Sequence, residues 1–308
     1  MTVTTDAFIA EVKQLITLPA VQSRFTNPNF FSFGNRKMKD SVVPVIHSLT
    51  AEFFVTRSDV EIIPNQTVYP IPPRAMGRKL REIKLKNPNN NRSDLPQIAI
   101  EREQFYRASS LPAGFFFYGD RIEIVPTPTA EGYMLQMWWF IPPGLMVPTT
   151  DAAVVQSINV DDVTVVSLPS TLAIGRDVDF IAGQAGNSCL GIDAEIINIT
   201  GNTLTFDVGA VPTDLAAGDY ISIAGTSPVL QIPDDAVPYL VTLTAMEMLG
   251  AISDYEGMDR LKETRDDQKK NLMLLLEPRA EGEPIPLIND YGFIGGPRRG
   301  VWGAWGYI

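Results

Sequence analysis

The chain has 308 residues, 45% hydrophobic and 20% charged, an ordinary globular composition that excludes wholesale disorder. That length holds two domains, or one domain carrying a large insertion. A formal net charge of -11 disfavours a surface that wraps DNA through clustered lysine and arginine, although an acidic surface beside DNA would let it slide without sticking.

The first helix is expected to open at Thr5 or Asp6, which can cap the free amides of the first turn, and to stop at Pro19. Phe8, Ile9, Val12, Leu15 and Ile16 carry its apolar spacing. A loop rich in Asn, Pro and Phe over 25–33 leads to a second helix at roughly 35–56. Its apolar stripe is Val42, Val45, Ile46, Leu49 and Phe53, and Pro44 inside the pattern implies a kink or a later start. From Asp59 the period becomes alternating. Residues 60–62 read as a strand, Pro64-Asn65-Gln66 as a turn, and 67–69 as its hairpin partner. Further strands are expected at 80–85, 97–100, 115–118, 121–125 and 133–140, with Gly119-Asp120 as a tight hairpin turn.

Between about 151 and 228 long charged side chains almost vanish, and short β-type runs alternate with Gly, Asn and Asp turns. The runs are 154–160, 163–168, 178–182, 194–199, 203–208 and 220–224, two of them joined by Gly201-Asn202. Segments 175–183 and 218–225 look alike, which hints at pseudo-symmetry in a closed barrel without exposed strand edges. Helical pattern returns at Asp234-Asp235, with Pro238 tolerated in the first turn and Tyr239, Leu240, Leu243, Met246 and Leu249 as a wide apolar face. A second, densely charged helix carries Met258, Leu261, Leu272, Leu275 and Leu276 and ends at Pro278. The fold class expected is α+β. It has a small sheet laid between helices (1–150 and 229–278), an inserted β-barrel (151–228) and an extended C-terminal tail (279–308).

Chemistry finds little to work with. Cys189 is the single cysteine, so neither an intramolecular disulfide nor a cysteine-based metal site is expected. His47, the single histidine, sits at helical spacing between apolar residues and has no Gly-x-Ser-x-Gly elbow to serve. The carboxylate pairs Asp161-Asp162, Asp234-Asp235 and Asp266-Asp267 read as a turn, a helix cap and a solvated helix face. The run 295–300 lacks the Lys-Ser/Thr ending of a phosphate loop. No enzyme, cofactor or metal is expected. The start of the chain has no basic segment followed by an apolar run, and 239–252 is too short and too polar to span a bilayer. Neither a signal peptide nor a membrane is therefore expected, and synthesis in a reducing cytoplasm is. The tail sets Trp302, Trp305, Tyr307 and Ile308 among small residues after Arg298 and Arg299, a composition suited to anchoring on a partner.

Four motifs in order resemble the head-to-tail adaptor (connector, tail tubular A-like) proteins of short-tailed bacteriophages. They are Tyr69-Pro70-Ile71-Pro72; the hairpin from Phe117 to the Pro126-Thr127-Pro128 that closes it; the strand leaving through Phe140-Ile141-Pro142-Pro143-Gly144-Leu145; and Ile232-Pro233-Asp234-Asp235 before two helices. The resemblance covers 1–150 and 230–280 and leaves the barrel outside. Family members usually carry Tyr nearer the Phe140 position. The resemblance implies a helical-bundle core with a small antiparallel β-sheet appendage over 1–150 and 229–278, in a virion protein assembled as a homo-oligomeric ring, typically of about twelve copies, below the portal protein. A C-terminal segment embraces the portal, carried over by position and composition to Arg298, Arg299, Trp302, Trp305, Tyr307 and Ile308. The β regions would meet a tail nozzle or fibre protein. DNA would pass a lumen lined by Glu263, Asp266 and Asp267, in a ring carrying on the order of 130 negative charges. The competing class is a receptor- or carbohydrate-binding tail protein that uses the barrel; a cell-wall hydrolase would need an essential carboxylate pair.

Overall fold

The computed structural model describes residues 3–16, 25–101, 110–183 and 189–276. Helix α1 (Thr5–Leu15) is capped by Thr4, one residue earlier than expected, whose Oγ1 accepts the Ala7 N–H at 3.2 Å. The expected stop at Pro19 lies outside the described residues. Helix α2 (Asn27–Lys37) occupies what the sequence read as loop. Pro28 is harmless in the first turn, where its missing N–H has no intrahelical role, and Phe30 and Phe31 are buried. A π-helical turn, Met38–Val42, follows and passes into α3 (Val43–Leu49). Pro44 cannot donate to the turn before it, and the widened turn there absorbs the disruption, so the chain continues where a break or kink was expected. A 3-10 turn, Ala51–Phe54, replaces the last part of the expected 35–56 helix.

The strands then follow: β1 (Val55–Glu61), β2 (Val68–Pro70), β3 (Leu80–Lys86), β4 (Arg92–Asp94), β5 (Gly114–Tyr118), β6 (Arg121–Val125), β7 (Met134–Phe140) and β8 (Leu145–Met146). The expected hairpin of 60–62 with 67–69 does not form. Instead β1 runs antiparallel to β7, from Val55 opposite Phe140 to Glu61 opposite Met134, while β2 pairs with β6 in a different sheet. The turn between them redirects the chain: Asn65 takes φ 67°, and the buried Tyr69 hydroxyl accepts the Ile63 N–H at 3.0 Å. The 97–100 run makes only an isolated bridge, Gln97 to Phe115. The β5–β6 hairpin turns on Gly119-Asp120 as the sequence indicates, with Gly119 at φ 62°. One sheet has the order β1-β7-β3-β4 and another β2-β6-β5, and Ile62, Tyr69, Ile83, Ile122, Leu135 and Trp139 fill the core beneath them.

Strands β9 (Ala153–Asn159), β10 (Asp162–Val165), β11 (Asp177–Ile181), β12 (Cys189–Thr200), β13 (Thr203–Phe206) and β14 (Tyr220–Ile223) close into a barrel of order β10-β13-β12-β11-β14-β9. Val155, Val163, Val178, Phe180, Leu204 and Phe206 fill it, with the two phenylalanine rings 5.1 Å apart. The two look-alike segments are β11 and β14, antiparallel neighbours with Phe180 opposite Ile221. The chain enters and leaves the barrel side by side, because β8 pairs in parallel with β15 (Thr226–Ser227).

Helix α4 (Val237–Ala251) is buried almost all round, against α1, α2 and the helix that follows it, in a core that includes Phe8, Phe30, Ile46, Leu240 and Met248. Helix α5 (Tyr255–Leu275) is capped by Asp254, which accepts the Gly257 N–H at 2.9 Å, and buries only Leu272. The expected helical-bundle core with a sheet appendage is therefore wrong, although helices and strands are both present. The described strands form two open sheets, the barrel and a two-stranded ladder, with the helices as one layer among them. The physical reason is legible in the helices themselves. The α2–α3 stretch passes through a π-helical turn at Met38–Val42 and stops at Leu49, and α5 has one buried side chain, too little to build a bundle wall.

Candidate assembly surfaces

Arg74, in the loop between β2 and β3, reaches into the barrel. Its guanidinium donates to both Asp179 carboxylate oxygens at 2.7 Å and to Asp193 at 2.8 Å. The Asp179 carboxylate, 4% exposed, also accepts the backbone N–H groups of Asp193 (3.1 Å) and Gly225 (2.8 Å). Such a forked, charge-assisted arrangement fixes orientation as well as contact. Burial works against the charge on Arg74, but hydrogen bonds and Coulomb attraction from Asp179, then Asp193, outweigh it and raise its pKa. Burial, together with the Asp179 charge, pushes the neighbouring Cys189 thiol up to about 12. A thiol so protonated is a poor nucleophile, and its hydrogen goes to the Gly191 carbonyl at 3.3 Å. This junction escaped the sequence reading because its charged partners are 105 and 119 residues apart.

Several other carboxylates serve local structure. Asp161 accepts the Gly209 N–H at 3.0 Å and Asp162 the Thr205 hydroxyl at 2.7 Å. Asp219, which the sequence analysis passed over, is buried and takes the N–H groups of Gly183 and Ala216, both at 2.8 Å. His47 packs edge-on against Phe140, with ring centroids 4.8 Å apart. It borders an apolar cavity of about 640 Å³ walled by Met38, Pro44, Met76, Pro142 and Pro143. Among the described residues no three His, Cys, Asp or Glu side chains gather as metal ligands, and no described helix is long and apolar enough to cross a membrane.

The proposed channel residues Glu263, Asp266 and Asp267 are all exposed on α5. Asp266 pairs with Arg265 at 2.7 Å and Asp267 lies 3.7 Å from Lys270; Glu256 pairs with Arg260 and Asp259 with Lys262. The helix carries five acidic and five basic residues, so it is electrically balanced. Its packed stripe runs through Met258, Leu261, Arg265, Gln268 and Leu272, and its last turn leaves Met273, Leu274 and Leu275 44%, 67% and 62% exposed. Arg298, Arg299, Trp302, Trp305, Tyr307 and Ile308 lie outside the described residues.

No family model matches the chain, and no curated protein does. Its surfaces must therefore be read from its own electrostatics. Residues 151–228 hold ten carboxylates and one arginine, a net of -9 out of the chain's -11. Residues 71–92 hold seven cations and one glutamate, a net of +6. The negative charge is thus concentrated in the barrel segment and the positive charge in 71–92, where Arg74, Arg81 and Lys84 are already ion-paired.

Proposed function

We propose that the chain is a structural ring subunit, the adaptor that joins portal to tail at the neck of a short-tailed phage. The observation that carries the reading is α5. It is a helix of 21 residues with one buried side chain, set against the rest of the fold along one stripe and ending in three exposed apolar residues. Burying Met273, Leu274 and Leu275 against a neighbour would stabilise association by roughly 1.5–3 kcal/mol each before the entropy of docking is counted. Lateral contact along that helix would build the ring, and the Trp302–Ile308 segment would clamp it to the portal. The lumen function takes a different form from a simple acidic lining. Glu263, Asp266 and Asp267 stand on a charge-balanced helix, so the charge that would keep DNA from adhering belongs to the barrel.

The receptor-binding reading gains nothing comparable. Sugar recognition relies on exposed aromatic faces, and in the barrel Phe180 and Phe206 are buried while Tyr220 is half-buried. Light scattering on the purified chain, alone and mixed with the portal protein, tests the adaptor. A discrete ring mass, bound to the portal in fixed ratio and released by Trp302→Ala with Trp305→Ala, is the expected result. A monomer indifferent to the portal overturns it.

A further inference from the structure

On the outer side of β11 and β12, Arg74 bridges Asp179 and Asp193 where a bulge interrupts the register. At the neighbouring paired position Asp177 lies directly opposite Glu195; both are exposed, and neither joins an ion pair with another described residue. Like charges directly opposite across an antiparallel pair stand about 5 Å apart at Cβ and repel. The mirror image occurs where Lys86 of β3 lies directly opposite Arg92 of β4, the edge strand of its sheet, again without an ion pair among the described residues. The described residues thus present an acidic rung and a basic rung, each without a counter-charge. Arg74 shows, beside the acidic rung, how a cation completes such a pair of carboxylates.

We propose that the Lys86–Arg92 rung of one copy docks on the Asp177–Glu195 rung of the next. Repeated from copy to copy, with each copy's basic rung on the next copy's acidic rung, the contact is head-to-tail and closes a ring or grows a filament. The occupant is a second copy of this chain because both halves of the complement, two cations and two carboxylates on strand ladders, are present in it. This inference rests on the ring reading and names the interface that closes it. The pairing of exposed charges would set register and association rate, and would weaken as salt rises.

Two variants of the full chain decide the matter, one with Lys86→Glu and Arg92→Glu, the other with Asp177→Lys and Glu195→Lys. The first carries acid on both surfaces and the second base on both. Each alone should self-associate at least about tenfold more weakly than the wild type, while an equimolar mixture should regain the wild-type mass with the two alternating. Circular dichroism and unfolding midpoints like the wild type's establish that each is folded. If the wild type forms a ring and each variant alone forms it equally well, this interface is wrong and the ring reading stands. If the wild type stays monomeric at every concentration and the mixture does too, the ring reading itself falls and takes the interface with it. Loss of affinity for a short DNA duplex in the Lys86→Glu, Arg92→Glu variant, with self-association unchanged, would assign the basic rung to nucleic acid and overturn the proposal.

Discussion

In the barrel, Val163, Val178, Phe180 and Leu204 point inward, polar residues point outward, and the ladder closes on itself so that no long strand edge is left unpaired. In the helical layer, α4 is buried on nearly every side while α5 spends one stripe on packing and leaves the rest in solvent. The barrel's exposed apolar side chains are scattered, with Val160, Ile174 and Val208 in turns, and its net charge is strongly negative. At the end of α5 three exposed apolar side chains are consecutive. The barrel therefore offers a partner chiefly charge, and α5 chiefly apolar contact.

The largest expected effect tests the join between these regions and the sheets. Arg74→Ala leaves the Asp179 carboxylate buried without its cation, and should cost about 3–5 kcal/mol of stability in urea unfolding. The double variant Arg74→Met, Asp179→Leu should recover part of that, because no charge is then left buried. A loss below about 1 kcal/mol for Arg74→Ala would mean that the barrel stands independently of the loop.

Next in size is a contrast within α5. Leu272→Ala removes the helix's one buried anchor and should destabilise the fold by about 2–5 kcal/mol. Leu274→Ala, two residues on and exposed, should leave monomer stability within about 0.5 kcal/mol yet weaken self-association. Equal effects on both quantities would erase the distinction between packed and free faces. Smallest is a barrel hairpin. Val160, 78% exposed, holds φ 54° in the turn between β9 and β10, a conformation that burdens a β-branched residue. Val160→Gly should raise the thermal midpoint by a few degrees, equivalent to about 1 kcal/mol; a lower midpoint would place the valine in a contact of its own.

What the sequence made legible was local. Gly119-Asp120 and Gly201-Asn202 form the hairpins that their composition indicates, and the barrel's short runs fall where alternation places them. What it hid was long-range. The Val60 run looked like half of a hairpin because a turn follows it, but its partner is β7, more than seventy residues on, chosen by burial of Leu135, Met137 and Trp139. The helix beginning at Asn27 was masked by Pro28 and by aromatics whose spacing serves both loop and helix. The bundle came with the resemblance, and the helical stripes could not correct it, because no stripe shows how few of its residues meet a second helix. Of the candidate surfaces, the α5 acids were found by composition. The Arg74 junction and the two opposed charge rungs were not, since they exist only once strand register is known.

The central claim is that this chain assembles through surfaces it leaves open. The most direct test is its mass in solution, measured by light scattering across a wide concentration range and then with the portal protein. The account predicts a single discrete closed assembly, weakened by salt and by Leu274→Ala, and bound to the portal in fixed ratio. A monomer at every concentration, or a compact trimer indifferent to the portal, would contradict it.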